Sequence, residues 1–240
     1  LPCPEAPSGE APWRAPLAVL EESLPELARR PADVVAILSN HFAHYALVPW
    51  NGELAGEEEE TAFARYCFTK VYGGAADAWA LRVSDDGARA SRVACAVDQR
   101  LLDGLEEALQ SPKLRLRSVQ PYLMVAFNQW RHRFQGATAW FALVEGGKLC
   151  LGLVHRDRWH ALRVVKIGAA WAAELPLILD RETHLVDLEE VQSEVFLFAP
   201  EQADLALPAE GGWSIHRLVL PPQPGFSPEA EAQFAVAVKR

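Results

Sequence analysis

Residues 139–165 read AWFALVEGGKLCLGLVHRDRWHALRVV, and this stretch decides the fold. It contains three apolar segments of strand length separated by two short tips, Gly146-Gly147 and Arg156-Asp157-Arg158. Apolar runs joined by tight polar or glycine-rich tips are typical of β-hairpins. The stretch therefore predicts three consecutive antiparallel strands, at Ala139 to Val144, Leu149 to Val154 and Trp159 to Val165.

The three-strand meander is followed by a predicted helix and two further predicted strands. A helix is predicted from about Trp171 to Thr183, with Pro176 inside it, and two strands are predicted at Val195 to Phe198 and Ser214 to Leu220. A short C-terminal helix is predicted after Pro228. Three antiparallel strands, a helix and further strands are the order of a ribonuclease-H-like lobe, so we expect an α/β fold of that class.

A first lobe is predicted before Gln135. Val34 to Leu38 is a continuous apolar run, which is typical of a strand buried on both faces. The segment Asn40 to Val48 is predicted as a second strand. Glu57 to Tyr72 is predicted as a helix that Gly73 ends, with its apolar stripe on Phe63, Tyr66, Cys67 and Val71.

The rest of this lobe alternates strands and helices. Trp79 to Val83 and Arg92 to Val97 are predicted to form a hairpin around Asp85-Asp86-Gly87. Asp98 is expected to cap a helix that buries Leu101, Leu102, Leu105 and Leu109 on one side. Further elements are predicted as a helix over Leu17 to Leu27, interrupted at Pro25, a strand at Leu116 to Val119 and a helix from Pro121 to Phe134. We predict two lobes, residues 1–135 and 136–240, of which the first lacks an opening three-strand meander.

Composition excludes several classes of function. Of 240 residues, half are hydrophobic, including 8 Trp and 10 Phe, which is ample material for a packed core. The net charge of −9 argues against a nucleic-acid partner, which requires a basic face. No apolar run approaches the roughly 20 residues of a membrane span. The four cysteines are scattered without a Cys-x-x-Cys pair, which favours reduced thiols and a cytoplasmic location.

The histidines do not form an obvious metal site. His41 and His44, if both lie on one strand, point to opposite faces and cannot share a metal ion. His155 and His160 could face each other across a hairpin with Asp157 between them, but a solvated hairpin tip explains the same residues. There is no Gly-x-Ser-x-Gly nucleophile motif. We therefore predict no catalytic residue and no metal ligand.

One segment could contact phosphate. In Glu145-Gly146-Gly147-Lys148, glycine amides could approach a phosphate group and the Lys could pair with it. The sequence departs from a P-loop because Leu149, rather than Ser or Thr, follows the Lys. A two-residue hairpin turn is the favoured interpretation, and Gly146, Gly147 and Lys148 are cofactor-binding candidates only if the chain binds ATP with magnesium.

Several short segments, taken in order, resemble one family. They are Ala32 to Asn40, Leu47-Val48-Pro49, Val93 to Asp98, Leu116 to Pro121 and Trp140 to Val154. Together they resemble the actin-like proteins of bacterial type IV pilus assembly (PilM) and the cytoplasmic domain of the type II secretion protein GspL. The resemblance implies the actin-like ATPase fold, with the opening strands of the first lobe lying before Leu1.

The resemblance also implies a function. ATP-binding relatives carry an Asp-x-Gly phosphate loop followed by small hydroxyl residues in each lobe, whereas this chain has Glu145 to Leu149 at that position. We therefore expect a non-catalytic cytoplasmic scaffold, without a cofactor, that docks an inner-membrane pilus or secretion protein and in addition a motor ATPase. It would meet the membrane only through its partner. The alternative is a nucleotide-binding ATPase or kinase-type member of the same superfamily.

Overall fold

The computed structural model describes residues 9–85, 90–188, 193–202, 205–207 and 211–220. Strands and helices alternate along this part of the chain, as predicted for an α/β protein. The strands are β1 (Ala32–Leu38), β2 (Ala43–Val48), β3 (Trp79–Val83), β4 (Arg92–Asp98), β5 (Leu114–Pro121), β6 (Thr138–Glu145), β7 (Lys148–His155), β8 (Arg158–Lys166), β9 (Glu194–Phe198) and β10 (Ser214–Arg217). The α-helices are α1 (Arg14–Leu27), α2 (Glu57–Tyr72), α3 (Gln99–Ala108), α4 (Tyr122–Trp130) and α5 (Trp171–His184).

Residues 139–165 form strands β6, β7 and β8 of a five-stranded sheet with the order β10-β9-β6-β7-β8. Strands β6, β7 and β8 are antiparallel neighbours, whereas β9 lies parallel to β6 and β10 lies parallel to β9. Helix α5 connects the meander to β9. This is the order predicted for a ribonuclease-H-like lobe, and the prediction is confirmed.

Both faces of this sheet are covered. Alternate side chains of β6, such as Trp140 and Ala142, pack with Leu175 and Leu179 of α5 in one apolar cluster. On the opposite face, Phe141 of the same strand meets the aromatic rings of Phe127 and Phe134 at centroid distances of 5.5 and 6.1 Å. Because successive strand residues point to opposite faces, β6 is a continuous apolar run rather than an alternating one.

Helix α5 runs without interruption through Pro176. Proline has no N–H, so one intrahelical hydrogen bond is missing at that position. Leu175, Pro176 and Leu179 are all buried against the core. Tertiary packing therefore maintains the helix where local propensity alone would break it.

The described residues before residue 135 contain two smaller sheets. Strand β1 pairs with β5 in a two-stranded parallel sheet, and β2, β4 and β3 form a three-stranded sheet in that order. Between residue 9 and β1, the structure shows α1 and no strand. The predicted hairpin strands Trp79 to Val83 and Arg92 to Val97 are neighbours, as expected, although the predicted tip at Asp86-Gly87 lies outside the described residues.

Helix α3 begins as the sequence predicts. Asp98 is its N-cap, and its Oδ1 accepts a hydrogen bond of 3.0 Å from the amide of Arg100. The side-chain nitrogen of Trp13, at the start of α1, donates to Asp98 Oδ2 at 3.2 Å. A Cβ atom on Gly104 would lie 2.5 Å from Leu17 Cδ2, so α1 and α3 pack at close range.

Two predictions about burial are wrong. The strand Val34 to Leu38 is not buried on both faces, since Val35 is 36% exposed in a sheet of only two described strands. Helix α2 has the predicted bounds and ends at Gly73 with φ 67°, but it buries Ala64 and Phe68. The predicted stripe fails because Tyr66 and Val71 are 60% and 68% exposed.

The described part of the chain divides into two compact units. One comprises the described residues up to His44 together with Gly56–Val83 and Cys95–Tyr122, and the other comprises Tyr45–Ala55, Ser84–Ala94 and the described residues from Leu123 onward. The lobe boundary at Gln135 stays a prediction. Among the described residues, no helix is long and apolar enough to cross a bilayer. The helix predicted after Pro228 lies outside the described residues.

Candidate functional site

The candidate phosphate segment is a tight turn between β6 and β7. Gly146 and Gly147 have φ angles of 42° and 78°, and Glu145 lies opposite Lys148 in the strand register. Two consecutive positive φ angles define the type I′ hairpin turn, which glycine adopts without strain. The favoured interpretation of the segment, a two-residue hairpin turn, agrees with this geometry.

Two backbone groups at this turn, the Gly146 amide and the Gly147 carbonyl, already have local partners. The amide of Gly146 donates to the Glu201 carboxylate at 3.3 Å, and the carbonyl of Gly147 accepts from the amide of Ile167 at 2.9 Å. A phosphate group at Gly146 would have to displace a negatively charged carboxylate or sit beside it. Leu149, at the position where a P-loop needs a hydroxyl group, is fully buried. These contacts support the hairpin-turn interpretation, and phosphate binding at Gly146, Gly147 and Lys148 stays a prediction.

The histidines lie in two separate environments. His41 lies in the turn before β2, so the strand predicted from Asn40 begins too early and the opposite-face argument does not apply to this residue. His44 lies on β2, where its ring stacks on Trp79 with centroids 4.0 Å apart and meets the edge of Tyr72. Both aromatic contacts explain His44 as a packed side chain.

His155 and His160 do approach each other across the β7–β8 hairpin, with ring centroids 6.2 Å apart. His155 Nδ1 forms a 2.7 Å hydrogen bond with the hydroxyl group of Thr138. Asp157 does not join them, because its carboxylate accepts from the amide of Gly136 at 3.3 Å. In the part of the chain that the structure describes, no three His, Cys, Asp or Glu side chains are grouped to hold a metal ion.

Burial controls the ionisation of the cysteines. It raises the pKa of Cys95 to about 12, and burial with a contribution from Glu145 raises the pKa of Cys150 to about 12. Burial also raises the pKa of Cys67, against the opposing charge of Lys70. Because the thiolate is the nucleophilic form, a raised pKa keeps these thiols in the protonated, less nucleophilic form near neutral pH. Cys3 lies outside the described residues.

Sequence reasoning missed a buried carboxylate. Glu182 on α5 is buried and is held by Arg181 at 2.7 Å and by Arg163 at 3.5 Å. Its neighbour Asp180 accepts from the side-chain nitrogen of Trp213 at 2.7 Å. These contacts bind α5 to β8 and to the segment before β10, which makes both carboxylates structural. Only the three-dimensional contacts separate the buried Glu182 from the exposed acidic residues of the same sequence.

Two surface features are more distinctive. The first turn of α2 is acidic and begins at Glu57. Two turns later the exposed Tyr66 lies beside Phe63, with the two ring centroids 6.4 Å apart. Three arginines, Arg131, Arg156 and Arg158, line one open cavity at the tip between β7 and β8. The sequence contained both signals, but only the structure shows which apolar residues of α2 remain exposed and which arginines meet.

The five-stranded sheet, its α5 crossover and the parallel β1–β5 pair define an α/β protein of the actin-like fold. Over 90% of its length the chain superposes on 79% of a chain in a PilM–PilN type IV pilus biogenesis complex, with a TM-score of 0.63 and 16% identity. It also superposes on the cytoplasmic domain of EpsL, an inner-membrane component of the type II secretion system of Vibrio cholerae. That match has a TM-score of 0.54 and 14% identity, and covers 85% of this chain and 76% of the other.

A third similar structure is a Bacteroides thetaiotaomicron protein of unknown function with an actin-like ATPase fold. Its TM-score is 0.52 at 12% identity, over 76% of this chain and 67% of the other. No protein-family model matches the chain, and no curated protein matches it in sequence. At these identities the comparisons establish the fold, and they confirm the resemblance predicted from the sequence at that level.

Proposed function

We propose that this chain is a non-catalytic, cytoplasmic actin-like scaffold that docks an inner-membrane partner in a bacterial type IV pilus or type II secretion assembly. The proposal is supported by the fold match to a PilM–PilN complex, which extends over 90% of the chain rather than over one lobe. The similarity to the cytoplasmic domain of an inner-membrane secretion component supports the same role. A motor ATPase is a further partner of such a scaffold.

The outer face of α2 is the surface that fits this partner best, and it is the observation that carries the proposal. Its first turn holds four consecutive glutamates, Glu57 to Glu60, and an exposed aromatic ring, Tyr66, follows two turns later. Cytoplasmic segments next to a membrane span carry an excess of Lys and Arg. A basic tail with an apolar anchor would place its charges on the glutamates and its anchor on Phe63 and Tyr66.

The test is a calorimetric titration of the purified chain with a peptide of the cytoplasmic tail of its inner-membrane partner. Replacing Tyr66 with Ala should weaken binding about tenfold or more, as expected when a central aromatic anchor is removed from an interface. Leu177→Ala is the matched control, because Leu177 is an equally exposed apolar residue on α5. Equal losses in both variants, or binding that Y66A leaves unchanged, would contradict this docking surface.

The second candidate function is nucleotide binding, and the Gly-Gly-Lys hairpin in an actin-like fold favours it. Gly146, Gly147 and Lys148 would then contact the phosphates of ATP bound with magnesium, once the Glu201 carboxylate had moved from Gly146. A titration with ATP, ADP and magnesium distinguishes the two functions. Micromolar affinity that Lys148→Ala abolishes would favour the nucleotide-binding function, whereas no heat and no rise in melting temperature would favour the scaffold.

A further inference from the structure

The fold brings together two basic segments that are far apart in the sequence. A short 3-10 helix, Arg131–Phe134, follows α4 and carries Arg131-His132-Arg133, while Arg156 lies in the tip between β7 and β8 and Arg158 begins β8. Arg131, Arg156 and Arg158 line one open cavity of about 360 Å³, together with Ser91 and Asp85. We call these three arginines the basic cluster. All three are exposed, in a chain whose net charge is −9.

The backbone that presents the cluster is fixed. Arg156 and Asp157 have φ angles of 49° and 67°, so the tip is a second type I′ turn. The Arg156 amide donates to the carbonyl of Ala137 at 3.1 Å, and the Asp157 carboxylate is held by the Gly136 amide. The tip is therefore tied to the chain just before β6, and these bonds fix the backbone from which the Arg156 side chain extends.

The floor of the cavity is equally well packed. Trp159 is buried, and its ring lies 4.4 Å from that of Phe127 on α4. A Cβ on Gly152 would lie 2.0 Å from the Trp159 ring, so glycine is required where the indole crosses β7. The floor and the backbone of the tip are therefore ordered before a ligand binds, and the conformational entropy lost on binding is mainly that of the exposed arginine side chains.

We propose that the basic cluster binds a carboxylate-rich acidic peptide segment of a protein partner. Each guanidinium presents five N–H donors in a planar fork that matches a carboxylate in a two-bond geometry. Two acidic residues, Asp85 and Asp157, lie at the cavity beside the three arginines, and the Asp157 carboxylate already accepts from Gly136. The local charge is positive where the chain as a whole is negative, which selects an acidic ligand.

This inference rests on the proposed scaffold function, since it gives the chemistry of a second protein partner. It concerns a different surface from the outer face of α2, which is suited to a basic tail. It is also separate from the candidate phosphate turn, because Gly146 and Arg156 lie at opposite ends of β7. That strand has eight residues and, at about 3.3 Å per residue, spans roughly 25 Å.

The experiment measures fluorescence anisotropy of a labelled octaglutamate peptide titrated with the intact chain at low and at high salt. The test variant combines Arg156→Asn with Arg158→Gln. Asn adopts positive φ readily, so the turn is kept while the guanidinium groups are lost. The matched control combines Arg82→Gln with Arg115→Gln, which removes the same charge from exposed positions on β3 and β5.

We expect the wild-type chain and the control to bind octaglutamate and the test variant to bind at least about tenfold more weakly, with salt weakening the wild-type complex. Circular dichroism and the melting temperature check the fold of the test variant, and Arg131→Gln provides a second variant. Equal losses in the control variant, or no binding by the wild-type chain, would overturn the proposal.

Two further titrations distinguish an acidic peptide from other anionic ligands. Inorganic pyrophosphate that binds in place of octaglutamate would overturn the peptide proposal and indicate a phosphate site. Binding of the chain to vesicles of anionic phospholipid, without binding of the peptide, would also overturn the peptide proposal. Failure of octaglutamate to bind leaves the α2 experiment unaffected, because that experiment uses a basic peptide and a different surface.

Discussion

The two lobes contain the same local arrangement, a helix followed by parallel strands, with different burial. In the second lobe, α5 leads into β9, which lies between β6 and β10, and the helix buries six residues. In the first lobe, α1 leads into β1, which pairs with β5 alone among the described strands, and α1 buries none. Leu27 at the end of α1 is 67% exposed.

This difference shows that the neighbours of a strand, rather than its composition, decide its burial. Val34 to Leu38 has the apolar sequence of a central parallel strand, and β9 has a similar one. Strand β9 gains partners on both edges and a covering helix, so Val195 and Leu197 are buried. Strand β1 has one described neighbour, and Val35 remains exposed. The first lobe should therefore tolerate substitutions that the second cannot.

The largest difference is expected for matched leucines on the two helices. Leu175→Ala on α5 leaves a cavity in the five-stranded lobe and should reduce the free energy of unfolding by about 3–5 kcal/mol. Leu24→Ala on α1 removes a half-buried side chain and should cost about 1 kcal/mol or less. Urea denaturation of both variants checks this. Similar reductions in the free energy of unfolding for the two variants would show that α1 is as well packed as α5.

A smaller difference is expected for two glycines that each lie against a large apolar side chain. Gly152→Ala places a methyl group 2.0 Å from the Trp159 ring, which is held on both sides, and should cost about 1–3 kcal/mol. Gly104→Ala on α3 meets the tip of Leu17, which can rotate, and gains about 1 kcal/mol of helix propensity. The melting temperature should fall for the first variant and stay nearly unchanged for the second. A large loss at Gly104 would indicate a rigid α1–α3 contact.

The smallest effect on the free energy of unfolding is expected at Asp98, the N-cap of α3, which also accepts a hydrogen bond from Trp13 at the start of α1. Burial opposes the charged form of Asp98, but hydrogen bonds from Arg100 and Trp13 outweigh it and lower the pKa of this carboxyl group. A lowered folded pKa stabilises the protein above the ordinary value of about 3.9, and this stabilisation disappears as pH falls through the folded value. Asp98→Ala should cost about 1 kcal/mol at pH 7, and the cost should shrink as pH falls through the lowered folded pKa.

The control for this cap is Asp103→Ala, which removes an exposed carboxylate from the same helix. Stability curves of both variants and the wild type over pH 2–8 make the comparison. A pH-independent loss in the Asp98 variant would show that packing around Trp13, rather than the charged hydrogen bonds, accounts for its effect.

Local signals in the sequence predicted much of the fold. The turns at Gly146-Gly147 and Arg156-Asp157, the Asp98 cap and the end of α2 at Gly73 each depend on a few adjacent residues, and each was predicted. Helix α5 was predicted despite Pro176. The apolar stripe of α2 was not, because both sides of that helix carry apolar residues and sequence spacing cannot show which side meets the core.

The candidate surfaces could be predicted only in part. Sequence reasoning interpreted Arg156-Asp157-Arg158 as a solvated hairpin tip, and Arg131-His132-Arg133 lies more than twenty positions earlier in the chain. Their meeting at one cavity depends on how α4 packs on the meander, which is a contact between residues more than twenty positions apart. Exposure of Tyr66 is also a tertiary property.

By itself, the sequence determined the strands and turns of the meander, the helix caps and the order of elements, because these follow from alternation, glycine conformation and side-chain hydrogen bonds within a few residues. Only the tertiary structure decided which apolar residues are buried and which charged residues meet. Burial and electrostatic contact depend on neighbours supplied by distant parts of the chain, and no local pattern records those neighbours.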